Sequence, residues 1–277
     1  MAANDLCQLA DVKLWLGRSD TNSDALLSAL ITRASRAILT YLQRGQILPR
    51  NVSEIRDGTG TSAMVLKQWP VISVTSVMVD DLTIPQASAE AGGSDTGWVC
   101  EAWDGTPPGR PQTLSLKGFS FGSSWPGAGN AQNVGVAYQA GYQVSDEPQT
   151  VASGVATVLA PYGAWASDMG VAYADGLAMA KVESAPAIGE YALGNTPGQY
   201  VFNAGDNGAA VAISYGFVPA DISDACIELV SERFKYAQRI GEKTHSLGGN
   251  ETVSFDNTRF TPLVEAMLQP YRNVAPV

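Results

Sequence analysis

The sequence predicts an α+β fold: a helical core built from both chain ends, a small antiparallel β unit, and an inserted β-sandwich domain. Three observations predict it. Apolar residues recur at helical spacing near the two ends. The middle is rich in β-branched residues and turn signals. An internal echo, VGVAYQAGY at 134–142 and VAISYGF at 211–217, brackets a long detour. The parts are therefore residues 1–66 (helical core, N-terminal part), 67–149 (antiparallel β unit), 150–214 (inserted β-sandwich) and 215–277 (helical core, C-terminal part, with an arm and a tail). A single continuous β domain is the alternative for the middle.

In chain order, Leu6, Leu9, Val12, Leu14 and Trp15 give a short helix an apolar side, and Gly17 ends it. Thr21 or Ser23 caps a longer helix over 24–44. Leu27, Leu30, Ile31, Ala34, Ile38, Tyr41 and Leu42 form its buried stripe, and Gly45 is the expected residue just past its end. After Pro49 the composition changes. Asp57-Gly58 and Gly60 mark a turn, and MVLKQWPVISVTSVMV reads as two strands broken at Pro70. Asp80-Asp81 closes this pair, and 98–103, 114–116 and 134–138 are further strands among Gly/Pro/Ser loops.

The detour shows strand rhythm at 155–159, 170–173, 178–182, 190–193, 199–202 and 209–215, separated by turn signals such as Asp175-Gly176 and Asp206-Asn207-Gly208. The chain then enters its longest helix. Pro219 precedes Asp221, a first-turn cap. Asp221, Asp224 and Glu228 crowd its N-terminal half and Arg233, Lys235, Arg239 and Lys243 its C-terminal half, as the helix dipole favours. Ile222, Cys226, Leu229, Ala237 and Ile240 make its apolar stripe. The arm HSLGGNETVSF follows. Thr261-Pro262 opens a last short helix, Pro270 ends it, and nothing holds the tail YRNVAPV in place.

Composition excludes several classes. With 277 residues, 45% hydrophobic and 16% charged, the chain is long and apolar enough to fold around a core. A net charge of −10 argues against general nucleic-acid binding, which needs a basic footprint. The acidic excess is uneven: from Lys67 to Phe217 the basic residues are Lys67, Arg110, Lys117 and Lys181 alone. Cys7, Cys100 and Cys226 lack disulfide-framework or zinc spacing, which fits a reducing cytoplasm. The N-terminus does not resemble a signal peptide, and no apolar run approaches the roughly 20 residues that span a bilayer, so no membrane is expected.

Catalytic constellations are absent too. His245 is the only histidine, and its neighbour Ser246 is no evidence of a triad. The glycines of SLGGNET lack the Lys-Ser/Thr of a phosphate loop. Asp80-Asp81 and Asp221/Asp224 stand where turns and caps ordinarily place aspartate rather than where a cation must bind. The tryptophans are scattered, as packing residues are. The expectation is no enzyme and no cofactor.

The order of segments nonetheless resembles one family. DLCQLADVKLWLG followed by DALLSALITRASRAILTYL, DGTGTSAMVLKQWPVISVTSVMVD, VGVAYQAGY, and VPADISDACIELVSERFKYAQRIGEKTHSLGGNETVSF resemble phage head–tail connector (adaptor) proteins. So does the late Leu-x-Pro-Tyr-Arg run at 268–272. Residues 150–214 depart from that pattern, and their ending, YVFNAGDNGAAVAISYGF, is similar to a β-sandwich module of other phage structural proteins. The resemblance implies a ring, dodecameric in the family, docked between the portal protein and a stopper or tail-completion protein in the virion neck. Genomic DNA would pass through its lumen without sequence-specific binding, and the protein would be made in the host bacterial cytoplasm. An acidic wall suits DNA that must slide rather than stick.

Within this reading the tail residues Tyr271, Arg272, Asn273 and Val274 are the expected portal-docking segment. The arm residues Leu247, Gly248, Gly249, Thr252, Val253 and Phe255 are expected to tie neighbouring subunits, by adding an edge strand. The alternative is a carbohydrate- or host-binding β module on a helical scaffold, with Trp165 and Tyr173 as its binding face.

Overall fold

Helix α1, Leu9–Trp15, and helix α2, Asp24–Tyr41, end in the same way but with different residues. After α1, Gly17 takes φ +64° and the Arg18 N–H reaches back to the Lys13 carbonyl at 2.9 Å. After α2, Gln43 takes φ +55° and the Arg44 N–H reaches back to the Leu39 carbonyl at 3.0 Å. Both are left-handed stops. Glycine fills the first without strain, as the sequence predicts. The second falls two residues before Gly45, on a residue with a Cβ. Gln43→Gly is expected to stabilise the fold by about 0.5–1 kcal/mol, part of the relief being offset by the looser unfolded chain. Thermal melts should rise by roughly 2–4 °C.

This computed structural model describes residues 4–88, 95–100, 112–118, 124–127, 132–236, 244–247, 251–254 and 260–273. They divide into two compact units. The first takes residues up to 46, 162–164 and 218–274; the second takes 47–161 and 165–217.

In the first unit α2 buries Leu27, Ile31, Ala34 and Ile38. Of the expected stripe, Leu30 and Tyr41 are only half-buried, and α1 buries only Val12 of its own residues. Leu14 and Trp15, read as part of an apolar side, are 82% and 60% exposed.

The strands begin in the second unit. They are β1 Arg50–Arg56, β2 Ala63–Val65, β3 Val71–Val79, β4 Leu82–Ile84, β5 Gly97–Cys100, β6 Thr113–Lys117 and β7 Val134–Ala140. One sheet runs β1-β7-β3-β4 and a second runs β2-β6-β5. Met64, Leu66, Val77, Trp98, Leu114, Trp125, Val134, Val136 and Tyr138 share their core. Strands β1 and β2 fall within 1–66, where the sequence reading places helical core. Pro70 does separate β2 from β3, and the Asp80-Asp81 turn joins β3 to β4 with both residues at positive φ. That is the backbone of the two-residue hairpin whose twist matches its strands.

The chain continues through β8 Gln143–Thr150, β9 Val155–Thr157, β10 Gly163–Tyr173, β11 Ala180–Lys181, β12 Glu190–Leu193, β13 Gln199–Phe202 and β14 Ala210–Pro219. Their sheets run β10-β14-β8 and β11-β12-β13-β9. The two halves of the sequence echo meet here. The Phe217 N–H donates to the Tyr142 carbonyl at 3.1 Å and their rings pack edge-on, 5.7 Å apart. Thr150 stands opposite Ala210, so the chain leaves and re-enters this region on paired strands.

From β14 the chain passes into α3, Ala220–Tyr236, which buries Ile222, Ala225, Cys226, Leu229 and Val230 and packs on α1 and α2. Strands β15, Thr244–Leu247, and β16, Glu251–Ser254, follow, and α4, Pro262–Leu268, packs on α3. The Thr261 hydroxyl caps α4 by accepting from the Val264 N–H at 3.3 Å. Pro270 sits in the 3-10 turn that closes it, Gln269–Tyr271.

Candidate assembly surfaces

The start of the tail is held rather than loose. The Asn273 N–H donates to the Leu42 carbonyl at 2.8 Å, satisfying an end group of α2 that the helix leaves open. The Arg44 Nε donates to the Tyr271 carbonyl at 3.0 Å, and the Tyr271 hydroxyl donates to Asp221 Oδ2 at 3.0 Å. The Arg272 guanidinium lies over the Tyr41 ring, 5.7 Å from its centroid, and Phe260 packs on the same ring at 5.2 Å. The expectation that nothing holds the tail is therefore corrected for residues 271–273. They strap α2 to α3 because three backbone or phenol groups find partners there, a signal that periodicity does not carry. Val274 lies outside the described residues.

The arm folds back on itself. β15 and β16 pair antiparallel, with Thr244 opposite Ser254 and Leu247 opposite Glu251. Among the described residues they form a two-stranded sheet with no third strand. A lone hairpin is marginally stable in water and carries an open edge on each side. Leu247, Thr252 and Val253 belong to it; Gly248, Gly249 and Phe255 lie outside the described residues. His245 stands in β15, opposite Val253 in register.

A third surface was not read from the sequence. Leu14 and Trp15 at the end of α1, and Leu26 at the start of α2 (48% exposed), flank the Lys13–Asp24 ion pair of 2.8 Å. Arg18 beside them covers the Phe234 ring of α3 at 5.3 Å. Large apolar side chains grouped in this way commonly mark a protein contact.

Between the last two sheets of the strand-rich unit lies a polar network. Glu147 is buried in β8 and accepts from the Tyr215 hydroxyl at 2.5 Å, Gln149 Nε2 at 2.8 Å and the Leu159 N–H at 2.6 Å. Asp168 in β10 accepts from the Tyr191 hydroxyl at 3.0 Å, the Gly170 N–H at 3.1 Å and Lys181 Nζ at 2.9 Å. Trp165 Nε1 donates to the Tyr200 hydroxyl at 3.1 Å. Burial pushes the phenols of Tyr191, Tyr200 and Tyr215 above their ordinary range, and nearby carboxylates push the same way. The phenols thus stay protonated and donate, while the carboxylates accept.

Each carboxylate has its partners inside the fold, which is the arrangement of a structural network rather than of an acid–base pair awaiting substrate. The aromatics proposed as a binding face are engaged as well. Trp165 is half-buried and donates to Tyr200, and the half-buried Tyr173 donates to Asp206 at 2.6 Å. Among the described residues no group of three or more His, Cys, Asp or Glu is placed to hold a metal ion. No described helix is long and apolar enough to cross a membrane.

Residues 5–102 match the family model of the head completion protein. No curated protein matches the chain. The match supports a phage head-completion or connector family, whose members are structural virion proteins, and it spans α1, α2 and the strands through β5.

Proposed function

We propose that this chain is a structural head–tail connector of a tailed bacteriophage. It assembles as a ring between portal and stopper or tail proteins, and DNA passes through it without being read. The head completion match over residues 5–102 carries this reading. The exposed Leu14, Trp15 and Leu26 supply a surface that a neighbouring subunit would cover. The hairpin β15–β16 offers backbone edges to the same end. Charge is consistent with a conduit. The strand-rich unit carries 15 Asp/Glu against 6 Lys/Arg, the helical unit 12 against 11, so the net −10 sits almost wholly on the strands. Such a surface repels phosphate.

Four variants test the assembly. Trp15→Ser with Leu14→Ser removes the exposed apolar corner and should abolish ring formation in light scattering while the melting temperature stays within a few degrees. Val253→Ser with Phe255→Ser should weaken the ring if the arm ties subunits. Truncation after Asn273 removes Val274 and the last residues but keeps the strap to Leu42, and Arg272→Ala removes the docking cation beside it. Both should lower portal affinity with folding intact. Parent-like assembly on portal by all of these sinks the docking assignment.

We read the inserted β-sandwich, expected over 150–214, as the two sheets spanning residues 143–219. Tyr142 and Phe217 are hydrogen-bonded neighbours, so replacing 143–216 by a short glycine linker should leave a soluble protein with its helical circular dichroism. An insoluble product would favour one continuous β domain.

A further inference from the structure

Cysteines that are 219 positions apart meet in the core of the helical unit. Cys7 Sγ donates to Cys226 Sγ at 3.2 Å, and both residues are buried. The pair has a third member. The Leu6 N–H donates to Ser35 Oγ at 2.9 Å, and that oxygen lies 3.6 Å from Cys226 Sγ. With its lone pair engaged by Leu6, the Ser35 hydroxyl is free to turn its proton toward Cys226. Cys226 sulfur is then placed to accept from both Cys7 and Ser35. Cys100 lies in β5, in the other unit.

We propose that Cys7 and Cys226 are an oxidation site: a dithiol in the reducing cytoplasm, and a disulfide staple once the protein meets peroxide outside the cell. The pairing stands on geometry, and its passage from a reducing cytoplasm to peroxide outside the cell rests on the connector reading. The sulfurs must close by roughly 1.1 Å to reach a bond of about 2.05 Å.

The chemistry balances with one hydrogen peroxide. Cys226 sulfur, favoured by its two acceptor contacts, attacks a peroxide oxygen, and its proton leaves with the departing hydroxide as water. Cys7 sulfur then attacks the resulting sulfenic sulfur, and the Cys7 proton leaves with the sulfenic hydroxyl as a second water. Two thiols are oxidised to one disulfide and one peroxide is reduced to two waters. The hydrogen bond with Cys226, burial and the nearby Asp11 and Asp5 all hold the Cys7 thiol protonated, so the reaction is slow and favours a small neutral oxidant over a bulky disulfide. The bond would tie the segment before α1 to α3 and close a loop across the 219 positions that separate the two cysteines. Long closed loops are those whose unfolded ensemble a disulfide restricts most.

The full-length chain, purified under reductant and exposed to dilute hydrogen peroxide, tests this by intact mass and non-reducing peptide mapping. The expected product is two hydrogens lighter, links the Cys7 and Cys226 peptides, and melts several degrees higher until dithiothreitol reverses it. Cys100→Ser should behave as the parent. Cys226→Ser, checked for folding by circular dichroism, should neither lose the mass nor gain the stability. Oxygen addition without a link, a link through Cys100, or an unchanged mass under conditions that link the urea-unfolded chain would overturn the assignment.

Discussion

Leu229→Asp is expected to unfold the helical unit. Leu229 is 5% exposed and lies on the side of α3 that also buries Ile222, Ala225, Cys226 and Val230. α3 packs on α1, α2 and α4, so an aspartate there is largely shut off from water. An unpaired carboxylate in such surroundings costs several kcal/mol, or takes up a proton to avoid the cost. Domain stabilities are on the order of 5–15 kcal/mol, so the loss is a large share of the whole. The melting temperature should fall by more than 10 °C, or soluble protein should be lost. The sign of the pH effect follows. Burial raises the folded-state pKa of the new Asp above its unfolded value of about 3.9. The penalty is then full above the raised folded value, shrinks as pH falls between the two, and vanishes below about 3.9. An unchanged melt at pH 7 would put Leu229 on the wrong side of α3.

The helices were legible because their apolar residues obey one period. Leu27, Ile31, Ala34 and Ile38 are buried as their spacing requires, and Thr261-Pro262 starts α4 with both the cap and the first-turn proline that sequence rules favour. Two detour strands, at 190–193 and 199–202, fall where alternation places them. Where alternation is inverted the sequence misleads. In β1 the inward position is Glu54, which takes the Lys67 N–H at 3.3 Å and lies 3.9 Å from Arg56, while Ile55 is 64% exposed. That strand therefore does not read as one. Strand β8 hides in the same way, since its only fully buried residue is Glu147 and it contains Pro148, tolerated because β8 is an edge strand. The N-terminal half of β10 is half-buried throughout and shows no alternation at all. The strap at 271–273 and the Cys7–Cys226 pair depend on partners distant in the chain, 50 positions for Tyr271 and Asp221, 227 for Arg44 and Tyr271 and 219 for the cysteines, which no local pattern encodes.

Glu147 is where that hidden pattern has its largest energetic consequence. Its two oxygens accept from a phenol, a side-chain amide and a backbone N–H, all within 2.8 Å. Glu147→Ala removes every acceptor at once. The Tyr215 hydroxyl is then left without its partner in the core and the Leu159 N–H loses its own at the edge of the core, and each orphaned buried donor costs about 1–3 kcal/mol. The expected loss is about 3–5 kcal/mol, or roughly 10 °C in the melting temperature. Glu147→Gln keeps one acceptor oxygen but turns an NH2 toward a group that donates, so it should fall between Ala and the parent. Tyr215→Phe removes a single donor and leaves Glu147 with two others, so it should be the mildest of the three. Combining Tyr215→Phe with Glu147→Ala should then cost less than the sum of the separate changes, because the phenol is no longer there to be orphaned. Hydrogen exchange gives a local readout: the Leu159 amide should exchange far faster in Glu147→Ala than in Tyr215→Phe. If Glu147→Ala melts within 2 °C of the parent and the Leu159 amide stays protected, water satisfies these donors and the carboxylate does not hold β8 to the sheet beside it.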